Sequence, residues 1–302
     1  MIGQARARHG LVAILAGSGE LPILLADRLA SIGRPHRILA FRGFCEPALR
    51  ARADATVGLL DVRGIEACLT AWRPSAVTLA GGLSRPSAAA LIGAFSAFRN
   101  RDDIAAIVAR GDDNLLRGAV ELLESKGFAL VGVRDLAPEL LAGIERYGIH
   151  SPGPGNEASI ALGFGLLDAI SAFDIGQAVV VAGERILAVE GPEGTDRMLA
   201  RARALRGGRL FGRRTRAGVL VKGPKRGQDL RVDLPAIGPR TVMNAVRAGL
   251  DGIAVASGYT VVLNRRDTVA AADRNGLFVV GVDREAIRLG SDAPAGSGGS
   301  LG

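Results

Sequence analysis

The sequence predicts an α/β protein in two parts, a parallel, doubly wound sheet in the first half and an α/β domain on a mixed sheet in the second. Three observations carry this. Short apolar runs alternate with amphipathic segments through about residue 133, the pattern of repeated β–α units. Apolar residues make up 48% of the chain but aromatics only 4%, so the core is Ala, Val, Leu and Ile, which suits sheets covered by helices. Pro152, Gly153, Pro154 and Gly155 then break the alternation, and hairpin-like segments follow. A chain of 302 residues is also comfortable for two domains of about 100–200 residues each.

Taken in order, residues 11–16 read as a strand, 20–32 as a helix and 37–41 as a strand. Residues 62–72 are helical, and 76–80 form a strand that runs into Gly81-Gly82. Residues 86–98 read as a helix with Pro86 near its first turn, where proline is tolerated. In 112–126, Leu115, Leu116, Ala119, Leu122 and Leu123 recur at three- and four-residue spacings, which predicts a helix. Residues 128–133 complete the half as a strand. The expected domains are 1–146, a linker at 147–156, 157–290, and a disordered tail at 291–302. In the second domain, 157–173, 195–205, 238–250 and 267–275 read as helices. Residues 177–182 and 186–190 form a hairpin turning at Gly183-Glu184, and 217–222, 252–256, 261–264 and 277–282 are strands.

Composition excludes several classes. Cys45 and Cys68 are the only cysteines and form no CxxC, so a structural zinc site and a secreted disulfide framework are both disfavoured. His9, His36 and His150 make no HxH or HxxxH pair, which sets aside a histidine metal centre. No stretch approaches the roughly 18 apolar residues that span a bilayer, and the N-terminus lacks the pattern of a signal peptide. A cytoplasmic protein is expected. The net charge of +8 is carried mostly by arginine, with eight arginines between Arg197 and Arg216. Only Phe211 is interleaved with them, too little for a base-stacking platform, so nucleic acid is not an expected partner. A basic stretch of this kind is either a solvated face or a surface for phosphates and anionic headgroups.

Several loops are candidate sites. Gly17-Ser18-Gly19-Glu20-Leu21-Pro22 joins a strand to a helix N-terminus, where backbone N–H groups and the helix dipole favour anions. Pro22 stands where a dinucleotide fingerprint needs its third glycine, which argues against NAD. Gly81-Gly82-Leu83-Ser84-Arg85 repeats the arrangement after a later strand, with Arg85 offering a fork of donors to phosphate. Gly111-Asp112-Asp113 precedes another helix, and either aspartate could be its N-cap. Gly17, Ser18, Gly19, Gly81, Gly82, Ser84, Arg85 and Asp112 are therefore candidate substrate contacts. In the second half, Glu190, Glu193 and Asp196 place three carboxylates around Thr195 just before a helix. The segment from Val221 to Thr241 joins Lys222, Lys225, Gln228 and Arg231 to Asp229 and Asp233. Cations neutralise charge on phosphoryl oxygens, and carboxylates hold Mg²⁺ or orient water. Lys222, Lys225 and Gln228, with the carboxylates Asp229 and Asp233, are the candidate catalytic residues of this segment. Glu190, Glu193, Asp196 and Asp233 are the expected metal ligands, and Thr195 and Thr241 further substrate contacts.

Gly17–Pro22, Gly81–Pro86, Gly111–Leu116, Asp174-Ile-Gly-Gln177, Ala188-Val-Glu190 and Glu193-Gly-Thr-Asp196 recur in order with Lys222-Gly-Pro-Lys225 and Val232-Asp-Leu-Pro-Ala-Ile-Gly238. In these segments, and in Ala248-Gly-Leu250 and Gly276-Leu-Phe278, the chain resembles the LpxI-type pyrophosphatases from about residue 10 to 284. The resemblance implies an N-terminal Rossmann-like domain and a C-terminal domain, with the lipid product held between them. It implies hydrolysis of UDP-2,3-diacylglucosamine to lipid X (2,3-diacylglucosamine 1-phosphate) and UMP in lipid A synthesis, with Mg²⁺ or a similar divalent cation such as Mn²⁺. Water would attack the sugar-side phosphorus, and the essential aspartate of the Val-Asp-Leu-Pro motif would be Asp233. A lipid nucleotide-sugar substrate implies transient contact with the cytoplasmic face of the inner membrane; homodimerisation stays open. Two other readings are a Rossmann-type nicotinamide oxidoreductase and a non-enzymatic phosphate- or lipid-binding regulator.

Overall fold

The computed structural model describes residues 10–82, 112–206 and 217–291, and side chains within these ranges except 112–116, 206 and 288–291. It divides into two compact units, one comprising residues up to 139 together with 228–233, the other 140–227 and the remainder from 234. The division falls ahead of the segment expected to join the halves. Segment 147–156 is instead structured: Tyr147 lies in a strand and is 4% exposed, its hydroxyl accepts the Gly143 N–H at 2.8 Å, and Pro154 opens a helix. Proline and glycine there mark a helix start rather than a tether.

In the first unit, β1 (Val12–Ala16), β2 (His36–Phe41), β3 (Ala55–Val57) and β4 (Ala76–Ala80) form a parallel sheet in the order β3-β2-β1-β4. Every residue of β1 and β4 is buried, the expected behaviour of strands covered on both faces. Helices α1 (Leu21–Ser31), α2 (Pro47–Arg50), α3 (Val62–Trp72), α4 (Asp112–Ser125) and α5 (Val133–Leu136) accompany the sheet. Leu15, Leu39, Val77 and Leu79 share a core with Leu69 of α3 and Val120 and Leu123 of α4. Val232, more than a hundred residues further along, packs against the same core.

The strand expected at 128–133 is reduced to a single parallel bridge, Val77 to Leu130. The cause is local: Gly132 N–H donates to the Asp135 carboxylate at 3.1 Å and α5 begins at Val133, withdrawing those residues from the sheet. The helix expected at 86–98, the leader and most of the tail lie outside the described residues.

In the second unit, six strands run in the order β5-β12-β10-β8-β6-β7. They are β5 (Arg146–Tyr147), β6 (Ala178–Ala182), β7 (Arg185–Val189), β8 (Val219–Lys222), β10 (Gly252–Ala256) and β12 (Phe278–Val282). Pairings β8–β10 and β10–β12 are parallel, while β5–β12, β6–β7 and β6–β8 are antiparallel, so the sheet is mixed as predicted. A small parallel pair joins β9 (Ala236–Ile237) to β11 (Val261–Val262).

Alternation along the strands splits this core in two. Val180, Leu220, Ile253 and Val255 face α7 (Thr195–Arg206), α8 (Pro239–Arg247) and α9 (Arg265–Arg274), through Met198, Val242 and Ala272 among others. Val179, Val181, Val219, Val221 and Ala254 face α6 (Pro154–Ile170) through Ile160, Phe164 and Leu167. Gly163 lets α6 lie close: a β-carbon there would sit 2.5 Å from a methyl of Val221. Helix α10 (Arg284–Ser291) ends the described chain. No helix among the described residues is long and apolar enough to cross a membrane. Cys45 and Cys68 are free thiols.

Candidate active site

The two glycine turns of the first unit come together. Gly17 N–H donates to Ala80 O, Ser18 N–H to Gly82 O and Gly82 N–H to Ser18 O, each at 2.9 Å. The Ser18 hydroxyl also donates to Gly82 O, at 3.0 Å. Gly81 adopts φ 90°, and a β-carbon there would collide with Ser18 O and with the Pro22 ring, so this position carries the close approach. Gly19 N–H donates to the Glu46 carboxylate at 3.2 Å. The anion cradle expected at Gly17–Gly19 is thus not a set of waiting donors. Its N–H groups have protein acceptors, and only that of Gly19 faces a side-chain anion. Ser84 and Arg85 lie outside the described residues. Asp112 opens α4, and its side chain is also outside them.

Residues 228–233 belong to the first unit. The Gln228 side-chain amide donates to the Asp233 carboxylate. Asp229 is tied instead to Arg231, which meets it at 2.7 Å and reaches Glu124 of α4 at 2.6 Å. That guanidinium lowers the Asp229 pKa, and the two carboxylates in turn raise the pKa of Arg231. Asp229 is thus held in an ion pair with Arg231, and Asp233 accepts from the Gln228 amide.

In the second unit, Lys222 ends β8 with only 8% of its surface exposed. Its ammonium donates to the Thr195 hydroxyl at 2.7 Å, and that hydroxyl donates to Glu190 at 2.8 Å. Lys225 pairs with Asp174. Arg226 pairs with Asp168 at 2.9 Å, and Arg284 pairs with Asp168 while donating to Pro224 O. The turn after β8 is thereby pinned through Asp168 and through Asp174. Sequence reasoning missed Asp168, Arg284 and Glu124. Asp174 stood within a quoted motif, and its left-handed backbone, φ 55°, marks a sharp turn.

The expected metal set does not assemble. Glu190 accepts from Thr195 and from Gln177 N–H at 3.1 Å; Glu193 is paired with Arg201 at 2.6 Å; Asp196 meets Arg240 and Asn244, each at 2.9 Å. Hydrogen bonds from its own backbone N–H and from Arg201 lower the Glu193 pKa. No group of three or more His, Cys, Asp or Glu able to hold a metal occurs among the described residues. These three carboxylates are drawn to cations and donors on their own flanks, which their sequence spacing could not reveal. Thr241 does not extend the site either: its hydroxyl accepts the Gly238 N–H at 3.3 Å and helps start α8.

Together, the parallel first unit, the mixed-sheet second unit and the run of cations and carboxylates at residues 222–233 define a two-unit α/β protein. The sequence matches the LpxI N-terminal domain over residues 11–140 and the LpxI C-terminal domain over 146–280, and the chain belongs to the LpxI family. It is 37% identical over 270 residues to the UDP-2,3-diacylglucosamine pyrophosphatase LpxI of Caulobacter vibrioides, covering 89% of this chain and 96% of that protein.

Proposed function

We propose that this protein hydrolyses the pyrophosphate of UDP-2,3-diacylglucosamine, giving lipid X and UMP for lipid A synthesis. The observation that carries the reading is the family match across both units, which includes the 222–233 run. In this reaction a water oxygen bonds to the sugar-side phosphorus, the bond from that phosphorus to the bridging oxygen breaks, and the bridging oxygen leaves with UMP. Asp233, with Gln228 as its hydrogen-bond partner, orients the water and takes up its proton. Lys222 and Lys225 offset charge on the non-bridging oxygens.

Glu190, Glu193 and Asp196 do not fit a Mg²⁺ cage, given the partners they already hold. Asp233 fits better, because Mg²⁺ is commonly held by one or two carboxylates with substrate phosphates and water completing the shell. Bound there, Mg²⁺ or Mn²⁺ would supply additional charge stabilisation to the pyrophosphate. The exposed arginines of α7, Arg197 and Arg203, suit transient contact with anionic headgroups. Purified protein given UDP-2,3-diacylglucosamine and Mg²⁺ tests the reading: UMP should appear by chromatography, and its absence across divalent cations would refute it.

A further inference from the structure

Among the described residues, Glu190 and Lys222 are the buried charged side chains, at 9% and 8% exposure. A buried charge is costly unless a partner compensates it. The two are opposite in sign, and a single neutral group links them. Lys222 Nζ donates to Thr195 Oγ1 at 2.7 Å, and Thr195 Oγ1 donates to Glu190 Oε1 at 2.8 Å.

The order of these bonds has a consequence. A hydroxyl has one hydrogen and two acceptor lone pairs. The ammonium can only donate, so the Thr195 oxygen accepts from Lys222 and its one hydrogen goes to Glu190. Glu190 thereby holds the hydroxyl that holds Lys222. Glu190 is itself held, because its second oxygen accepts the Gln177 N–H at 3.1 Å and Gly176 lies so close that any β-carbon there would strike the Glu190 main chain. Three elements contribute: Glu190 follows β7, Thr195 opens α7 and Lys222 ends β8.

We propose that Glu190 is a positioning residue that acts through Thr195 to fix the Lys222 ammonium for the phosphate oxygens of the substrate. For the reaction itself this rests on the hydrolase reading above. It replaces metal binding by Glu190 and direct substrate contact by Thr195 with one shared task.

The test is a double-mutant cycle on the full chain. Thr195→Val keeps the shape and removes the hydroxyl, so kcat should fall by about 10- to 100-fold with a smaller change in KM. Thr195→Ser restores the hydroxyl and should recover most of the lost kcat. Glu190→Gln should lower kcat in the same direction. In a Lys222→Met background, Thr195→Val should cost almost nothing further, because both changes remove one interaction. Full additivity there, or wild-type kcat in Thr195→Val, would overturn the proposal. Wild-type protein that released no UMP would instead refute the hydrolase reading, and the linkage would be decided by NMR of protein carrying ¹⁵N-lysine. A Lys222 ammonium signal should be seen in wild type and Thr195→Ser and be lost to exchange in Thr195→Val and Glu190→Gln. Equal signals in all four would overturn the proposal on that arm.

Discussion

Asp229 and Asp233 stand four residues apart and hold different partners: Asp229 pairs with Arg231, and Asp233 accepts from the Gln228 amide. Asp233→Ala should lower kcat by at least about 100-fold while leaving substrate binding largely intact, measured by UMP release and by titration calorimetry. A variant keeping a tenth or more of wild-type turnover would remove Asp233 from catalysis. Lys222→Ala and Lys225→Ala should each lower kcat/KM by about tenfold or more; wild-type behaviour in both would reduce the segment to a charged loop. The Asp229–Arg231 pair makes a separate prediction in pH. The folded state lowers the Asp229 pKa, so the pair stabilises above the unfolded carboxylate pKa and is lost as pH falls through the lowered value. The Tm gap between wild type and Arg231→Met should be largest near neutrality and close in acid.

At the scale of elements, the regular pieces were legible because their own residues carry the signal. The continuous apolar runs of β1, β4 and β10 reflect burial on both faces, and the spacing of the Leu residues in α4 shows its helical face. The hairpin of β6 and β7 turns at Gly183, as its sequence suggested. Strands β3, β5 and β9 were not legible, since two or three residues show no periodicity and their pairing partners lie elsewhere in the chain. The site was legible to the same degree. Lys222, Lys225, Gln228 and Asp233 stand out as charged and polar side chains in a segment rich in proline and glycine, but the bond from Lys222 to Thr195 spans 27 residues and no local pattern announces it. The three carboxylates at Glu190, Glu193 and Asp196 misled for the mirror reason: neighbours in sequence, they turn to different partners in space. The contact of α6 with β8 is open to direct test. Gly163→Ala would press a methyl onto Val221, next to Lys222, and should destabilise by about 1–3 kcal/mol, read as a lower Tm.

Across the whole molecule, the chain passes between its two compact units at 139/140, 227/228 and 233/234. Lys222 and Lys225 belong to the second unit, whereas Gln228 and Asp233 are grouped with the first, whose core holds Val232. A fragment of residues 140–302 keeps Lys222, Lys225, Gln228 and Asp233 but loses the core against which Val232 packs, and it should release no UMP even if it folds. Exposed arginines on α7 belong to this scale too. Replacing Arg197 and Arg203 with glutamine should weaken binding to anionic vesicles and flatten its salt dependence, measured by sedimentation. The most direct measurement of the central claim is hydrolysis of UDP-2,3-diacylglucosamine with Mg²⁺ in H₂¹⁸O, with both products weighed by mass spectrometry. Equimolar UMP and lipid X should form, with the label in the lipid X phosphate; no UMP, or label in UMP instead, would overturn water attack at the sugar-side phosphorus by this protein.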